Sequence, residues 1–340
     1  MTDAVAGITL LWVIMFIYAI AGSVDFGAGF WALWYARHKQ TTAATIANRY
    51  LSPLWEVTNV FLVLFSVALV GLFPGAAYTL GELLLVPGCL ILILLTIRTV
   101  FMTYAHSVER YQYSMRVISG ITGLLIPALL LTVFPIAQGG FVSSVQGHAT
   151  LALGTLLTSP VTYAYIALGL TSELLLSALI LADFSRVGQD ASAFAIYRRN
   201  AFRLSPVNIA FAATCLWVIT RHTIWLQSRL WHEQGWFIGS ALCFVASMAL
   251  LWSARQVTQS RFRLAVIMSI GQYFLAIMGY GIAHLPYLVY PFLTIQNSFT
   301  NSEMFRASVI VLIVGLAVLF PGFVWLWRLF LENRSYAGKS

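Results

Sequence analysis

Charge is what this chain has least of. Only 9% of its 340 residues are Asp, Glu, Lys or Arg, against roughly 25% in an average soluble protein. With 60% hydrophobic residues and a mean hydropathy of +0.85, a soluble domain is excluded, because too little polar surface is available to face water. Cysteine is nearly as scarce. Cys89, Cys215 and Cys243 each stand alone inside an apolar run, which excludes a disulfide framework and offers no zinc or iron–sulfur spacing, so they read as packing residues. Histidine is missing from the centre of every apolar run. His38, His106, His148, His222, His232 and His284 lie in connectors or at expected helix ends, so the chain is expected to ligate no haem and no metal by itself. There is no nucleophile motif and no nucleotide loop. The 19 basic residues against 11 acidic ones are scattered singly or in small groups, without the patch that nucleic acid requires.

What is present is a series of about nine apolar stretches of the length that crosses a bilayer as helix. Hydropathy places them near 5–34, 54–79, 83–105, 116–138, 160–182, 204–221, 235–253, 263–283 and 304–328. The connectors are too short for a separate soluble domain, so residues 1–340 read as one all-α polytopic membrane domain. The first run opens with Met1-Thr2-Asp3, lacks a basic n-region and continues beyond a signal-peptide core, so it is expected to stay in the mature protein.

Basic residues set the expected topology. Arg37, Lys39, Arg49, Arg110, Arg116, Arg186, Arg198, Arg199, Arg203, Arg255, Arg261, Arg263, Arg328, Arg334 and Lys339 fall on one side, 15 of the 19. The other side holds only Arg221, Arg229 and Arg306. The positive-inside rule therefore puts the N-terminus outside and the C-terminus in the cytoplasm. Arg49-Tyr50-Leu51-Ser52-Pro53 and Arg203-Leu204-Ser205-Pro206 form a weak internal repeat. Each Ser-Pro reads as a helix start, with serine as N-cap and proline at the first position. An even number of helices separates the copies, so two parallel pseudo-symmetric four-helix bundles, about 5–138 and 160–283, are expected, followed by a final helix near 304–328.

Ionisable residues inside these runs each need a reason, since a charge at the bilayer centre costs about 2.5–3.5 kcal/mol on insertion scales. Asp25 sits among glycines in Gly22-Ser23-Val24-Asp25-Phe26-Gly27-Ala28-Gly29, which allow close helix contact or a break. Glu56 lies in Ser52-Pro53-Leu54-Trp55-Glu56-Val57-Thr58-Asn59, with Asn59 and Val63 on its face. Both acids read as inward-facing proton carriers, or more simply, for Glu56, as a carboxylate complementing a helix N-terminus. Glu173, beside Ser172 and Ser177, is a second protonatable site or a merely hydrogen-bonded acid. Asp183 reads as a surface charge. Arg98 reads as snorkelling to the cytoplasmic interface, with pairing to Glu56 or Asp25 as the alternative.

At these residues the chain resembles subunit II of the cytochrome bd-type quinol oxidases. Asp25-Phe26-Gly27-Ala28-Gly29 is similar to the family's first-helix Asp-Phe/Met-Gly-Val-Gly, and Pro53-Leu54-Trp55-Glu56-Val57-Thr58-Asn59 to its Pro-x-Trp-Asp/Glu-x-Asn segment. Leu72-Phe73-Pro74-Gly75-Ala76-Ala77-Tyr78 is similar to its Phe-Pro-x-x-Tyr. His284-Leu285-Pro286-Tyr287-Leu288-Val289-Tyr290-Pro291 is similar to the Phe-Pro-x-Ile-x-Pro before its last helix. Arg98-Thr99-Val100-Phe101-Met102-Thr103-Tyr104-Ala105 departs from the family by lacking an acid and a second arginine, which marks a divergent branch. The resemblance implies a haem-free subunit in a bacterial or archaeal cell membrane, packed against a subunit I that carries two haems b and one haem d. That complex would oxidise quinol and reduce O₂ to water, with lipid and a small accessory subunit as further neighbours. Asp25 and Glu56 would correspond to the family's intramembrane acids on the proton path, supported by Trp55, Asn59, Arg98 and Glu173. Ubiquinol and menaquinol stay open. Two other readings, a proton-coupled secondary transporter and a purely structural membrane subunit, share the same inner acids.

The charge asymmetry makes a direct prediction. Reporter fusions should place residue 1 outside the cell and residue 340 in the cytoplasm, and a cytoplasmic N-terminal reporter would overturn the odd helix count.

Overall fold

The protein is described here by a computed structural model covering residues 2–37, 41–105, 112–145, 148–253 and 259–327. Met1, His38, Lys39, His106, Arg110, Arg255, Arg328, Arg334 and Lys339 lie outside the described residues. In chain order come α1 (Thr2–Arg37), α2 (Thr41–Leu72), α3 (Pro74–Leu83), α4 (Leu85–Ala105), α5 (Gln112–Leu131) and α6 (Val133–Ala137). An antiparallel hairpin, β1 (Val142–Val145) and β2 (His148–Leu151), leads to α7 (Leu153–Thr158). Then follow α8 (Pro160–Val187), α9 (Ala191–His222), α10 (Ile224–His232), α11 (Gln234–Ser253) and α12 (Gln259–His284). A second small hairpin, β3 (Tyr287–Val289) and β4 (Leu293–Thr294), precedes α13 (Ile295–Ser298) and α14 (Ser302–Trp327).

Among the described residues, eight helices are long and apolar enough to cross a membrane, and α2 adds a shorter apolar segment, Glu56–Leu72. The chain is an all-α membrane protein. Element order runs long, long, short, long, long from α1 to α5 and again from α8 to α12.

Helix ends differ from the hydropathy reading where polar residues are helical. α2 begins at Thr41 and α9 at Ala191, because alanine-rich leaders, polar to a hydropathy window, are good helix formers. These leaders pack together: Ala43, Ala47 and Tyr197 are fully buried, and the Tyr197 hydroxyl donates to the Ala43 carbonyl at 2.7 Å. Neither Ser-Pro therefore starts a helix. Both lie inside one, and at the second the Ser205 hydroxyl donates to the Ala201 carbonyl at 2.7 Å, leaving it no cap to make. The stretch read as 54–79 divides at Phe73-Pro74, where proline takes the first position of α3 and the buried Phe73 ring meets Phe299 at 5.5 Å. The stretch 116–138 divides at Thr132, between α5 and α6.

Helix α1 lies at the centre, touching α2, α5, α8 and α12. Its glycines serve close contact, since α1 continues unbroken through them. A side chain on Gly27 would collide with Ser177 of α8, and a Cβ on Gly29 would stand 2.6 Å from Ser119 Oγ and 2.8 Å from its carbonyl on α5. By contrast α14 has no buried residue in its apolar window.

Overpacking a close helix crossing costs about 1–3 kcal/mol. Gly29→Val should therefore lower the thermal denaturation temperature of the purified protein. Gly315→Ala, at a position with nothing within 4 Å, should leave it where it is.

Candidate functional site

Three ionisable side chains are buried together in the middle of the bundle. Asp25 on α1, Arg98 on α4 and Glu173 on α8 are each 3% exposed. Arg98 is the hub. One terminal nitrogen donates to the Asp25 carboxylate at 3.0 Å and to the Asp25 carbonyl at 3.1 Å. The other donates to the Ser119 carbonyl at 2.8 Å and to Thr122 Oγ1 at 3.3 Å. The guanidinium carbon lies 5.1 Å from the centre of the Phe26 ring, a favourable cation–π distance. A single planar fork thus holds α1, α4 and α5 together, which a lysine could not do in this geometry.

Local sequence explains the convergence. In α5, Ser119-Gly120-Ile121-Thr122-Gly123 puts small residues where α1 approaches, and a Cβ on Gly123 would stand 2.5 Å from the Phe26 carbonyl. Small residues at three- and four-residue spacing are the general device for bringing membrane helices this close. On the α8 side, the Trp31 indole N–H donates to Ser177 Oγ at 3.0 Å.

Arg98 does not snorkel: its head group is paired with Asp25 in the interior. Snorkelling needs an outlet to the interface, and the α1–α5 crossing closes that outlet while supplying acceptors. Glu173 lies in the same buried cluster, within electrostatic reach of both Asp25 and Arg98, with its Oε1 unpartnered. Tyr18, two turns before Asp25 on α1, also reaches this cluster and has an unpartnered, buried hydroxyl. Sequence reading missed Tyr18, Ser119 and Thr122. The serine, threonine and glycine spacing of α5 was the available signal for the last two.

Glu56 is elsewhere. It is exposed, whereas Thr58 is buried against α1 beside Gly22; two residues on a helix are about 200° apart, so one faces in when the other faces out. The expected inward polar track of Glu56, Asn59 and Val63 is therefore turned outward, with Asn59 half-buried and Val63 61% exposed. The Trp55 side chain lies outside the described residues. Asp183 is half-buried and pairs with Arg263 at 3.5 Å, so it is more than a free surface charge.

Among the described residues, no group of three His, Cys, Asp or Glu could hold a metal ion. His284 is buried, but its ring is wedged 5.1 Å from Trp225 and 5.7 Å from Tyr280, with Nδ1 on the Tyr287 carbonyl at 2.8 Å.

A sequence profile described as cytochrome bd terminal oxidase subunit II matches residues 4–330. The chain belongs to this family. A Bacillus subtilis (strain 168) protein, provisionally named cytochrome bd menaquinol oxidase subunit II, is 40% identical over 338 residues, covering 98% of this chain and 97% of that protein. The structure of bd oxidase from Geobacillus thermodenitrificans contains a chain of the same fold, with a TM-score of 0.84 and 37% identity across 98% of this chain and all of that one. This subunit II is thus part of an oxidoreductase complex of the bd type.

Removing one member of a buried ion pair costs about 3–5 kcal/mol, whereas replacing both by apolar residues costs far less. Asp25→Ala should destabilise the subunit by about that amount. Asp25→Leu combined with Arg98→Met should recover most of it in a denaturation double-mutant cycle.

Proposed function

We propose that this subunit II is the haem-free half of a quinol:O₂ oxidoreductase in the plasma membrane and that it gives protons access from the cytoplasm to a buried oxygen site. The buried Arg98–Asp25 pair, with Glu173 beside it, carries this reading. A merely structural contact between helices is met more cheaply by apolar packing, whereas ionisable groups at membrane depth mark proton and ion paths. Haem-bearing subunit I is the partner, with two haems b and one haem d as its own cofactors. Menaquinol is the proposed substrate, by likeness to the Bacillus relative's name. Quinol oxidised at the outer face releases its protons there, and the protons that turn O₂ into water come from the cytoplasm. A membrane potential then builds without a pump.

The outward position of Glu56 fits the same reading. Val60, Val63, Val67 and Val70 continue its face at three- and four-residue steps, each about 60% exposed. Neighbouring α14 contacts α2, and its membrane-length apolar stretch buries no residue against the rest of the described chain. We place subunit I on this face, which puts Glu56 and Asn59 at the seam between subunits. Cytoplasmic protons meet the complex there, before the interior cluster at Asp25. The pseudo-symmetric halves, the N-out orientation and the single-domain organisation belong to the same proposal.

Two measurements test it. A tagged chain purified from its native membrane in mild detergent should bring a second large membrane subunit and the reduced-minus-oxidised bands of haems b and d. In that complex Asp25→Asn and Glu56→Gln should slow oxygen consumption and proton uptake by roughly tenfold or more at unchanged haem content. Full turnover in both variants would reduce the two acids to a structural role.

A further inference from the structure

We propose that Arg98, Asp25 and Glu173 form a net-neutral unit holding one exchangeable proton, and that the proton resides on Glu173 and not on Asp25. This rests on the proton-access reading above and assigns the carrier within it. Two carboxyls share one cation here. Asp25 has the arginine to itself: Arg98 holds both its carboxylate and its carbonyl, so its negative charge is balanced where it stands. Glu173 has no such partner. Its Oε1 is buried without a hydrogen bond. Helix α11, which follows α8 to α10 as α4 follows α1 to α3, has no charged residue anywhere in Gln234–Ser253.

An isolated carboxylate in an apolar interior is far costlier than the neutral acid, so balance within the unit requires one proton, and Glu173 is where it is needed. The ionisable groups within electrostatic reach of this carboxyl are Tyr18 and Asp25 from α1 and Arg98 from α4. One residue away, Ser172 accepts Asn208 of α9 on its side chain at 2.8 Å and Tyr273 of α12 on its carbonyl at 3.3 Å. None of these supplies a second cation.

Exchange is built in through Tyr18. Its hydroxyl is also buried without a hydrogen bond and lies within electrostatic reach of Glu173, and two such orphaned polar atoms suit a bridging water. The Glu173 O–H bond breaks as its proton passes to that water, leaving the unit with one negative charge and Arg98 flanked by two carboxylates. Return of a proton to the Glu173 oxygen restores neutrality. Asp25 acts as a fixed countercharge that positions Arg98, and Glu173 moves the proton.

Infrared spectroscopy of the purified complex tests this without reference to turnover. A protonated-carboxyl C=O band should be present, should shift when H₂O is replaced by D₂O, and should vanish in Glu173→Gln. Glu173→Asp, which keeps a carboxyl if the amide variant fails to assemble, should move the band instead of abolishing it. In Asp25→Asn the same band should be lost, because Glu173 must then ionise to balance Arg98. A band that survives Glu173→Gln, survives Asp25→Asn, or does not shift in D₂O would overturn the assignment. Absence of haem or of oxygen consumption would instead refute the oxidase reading and leave the infrared result standing by itself.

Discussion

A guanidinium cannot sit in hydrocarbon unless nearly all of its donors are met, and the arrangement of the first half of this protein follows from meeting them. Arg98 needs one carboxylate and several oxygens within about 3 Å. Asp25, the Ser119 carbonyl and Thr122 supply them from two other helices. To bring those oxygens so close, α1 and α5 must touch backbone to backbone, which only their glycines permit. The charge thus dictates the helix spacing. The spacing in turn excludes the bulk water that would otherwise screen the charge.

Much of this was legible in the sequence, for physical reasons. Long apolar runs read directly as spans, since backbone groups in lipid must be satisfied within a helix. Asp25 stood out by its cost and its glycine setting. What sequence could not supply was rotation and partnership. Glu56 and Thr58 are two residues apart and face opposite ways, and a period read from polar residues alone chose the wrong face. Arg98 had two outlets by length of side chain, and the tight α1–α5 crossing decided between them. Short hairpins at β1–β2 and β3–β4 were invisible because strands of two to four residues leave no periodic signal. The two Ser-Pro pairs carry a strong local start signal, overridden by alanine-rich leaders whose value lies in tertiary packing.

The proposed subunit seam rests on the outside of the molecule, as the proposed proton path rests on its inside. α14 and the valine face of α2 bury little against the rest of the chain. Among membrane helices apolar exposure alone says nothing, because lipid is an adequate neighbour. Glu56 on the same face as the valines is what distinguishes this surface from one meant for lipid. Charged and apolar groups in one stripe fit the proposed subunit seam, where a protein neighbour supplies both packing and hydrogen bonds.

The same fork that neutralises Asp25 also grips main chain, the carbonyls of Asp25 and Ser119, and so works as a rivet through three helices. Any mechanism that rotated α1 against α5 would have to tear the arginine from both carbonyls in a medium with nothing to replace them. Rocking halves, the motion by which transporters expose a site alternately to each side, are therefore mechanically unavailable to this part of the bundle. The proposed proton path would then run along a stationary scaffold, by turning side chains and water molecules, a fixed wire with no hinge.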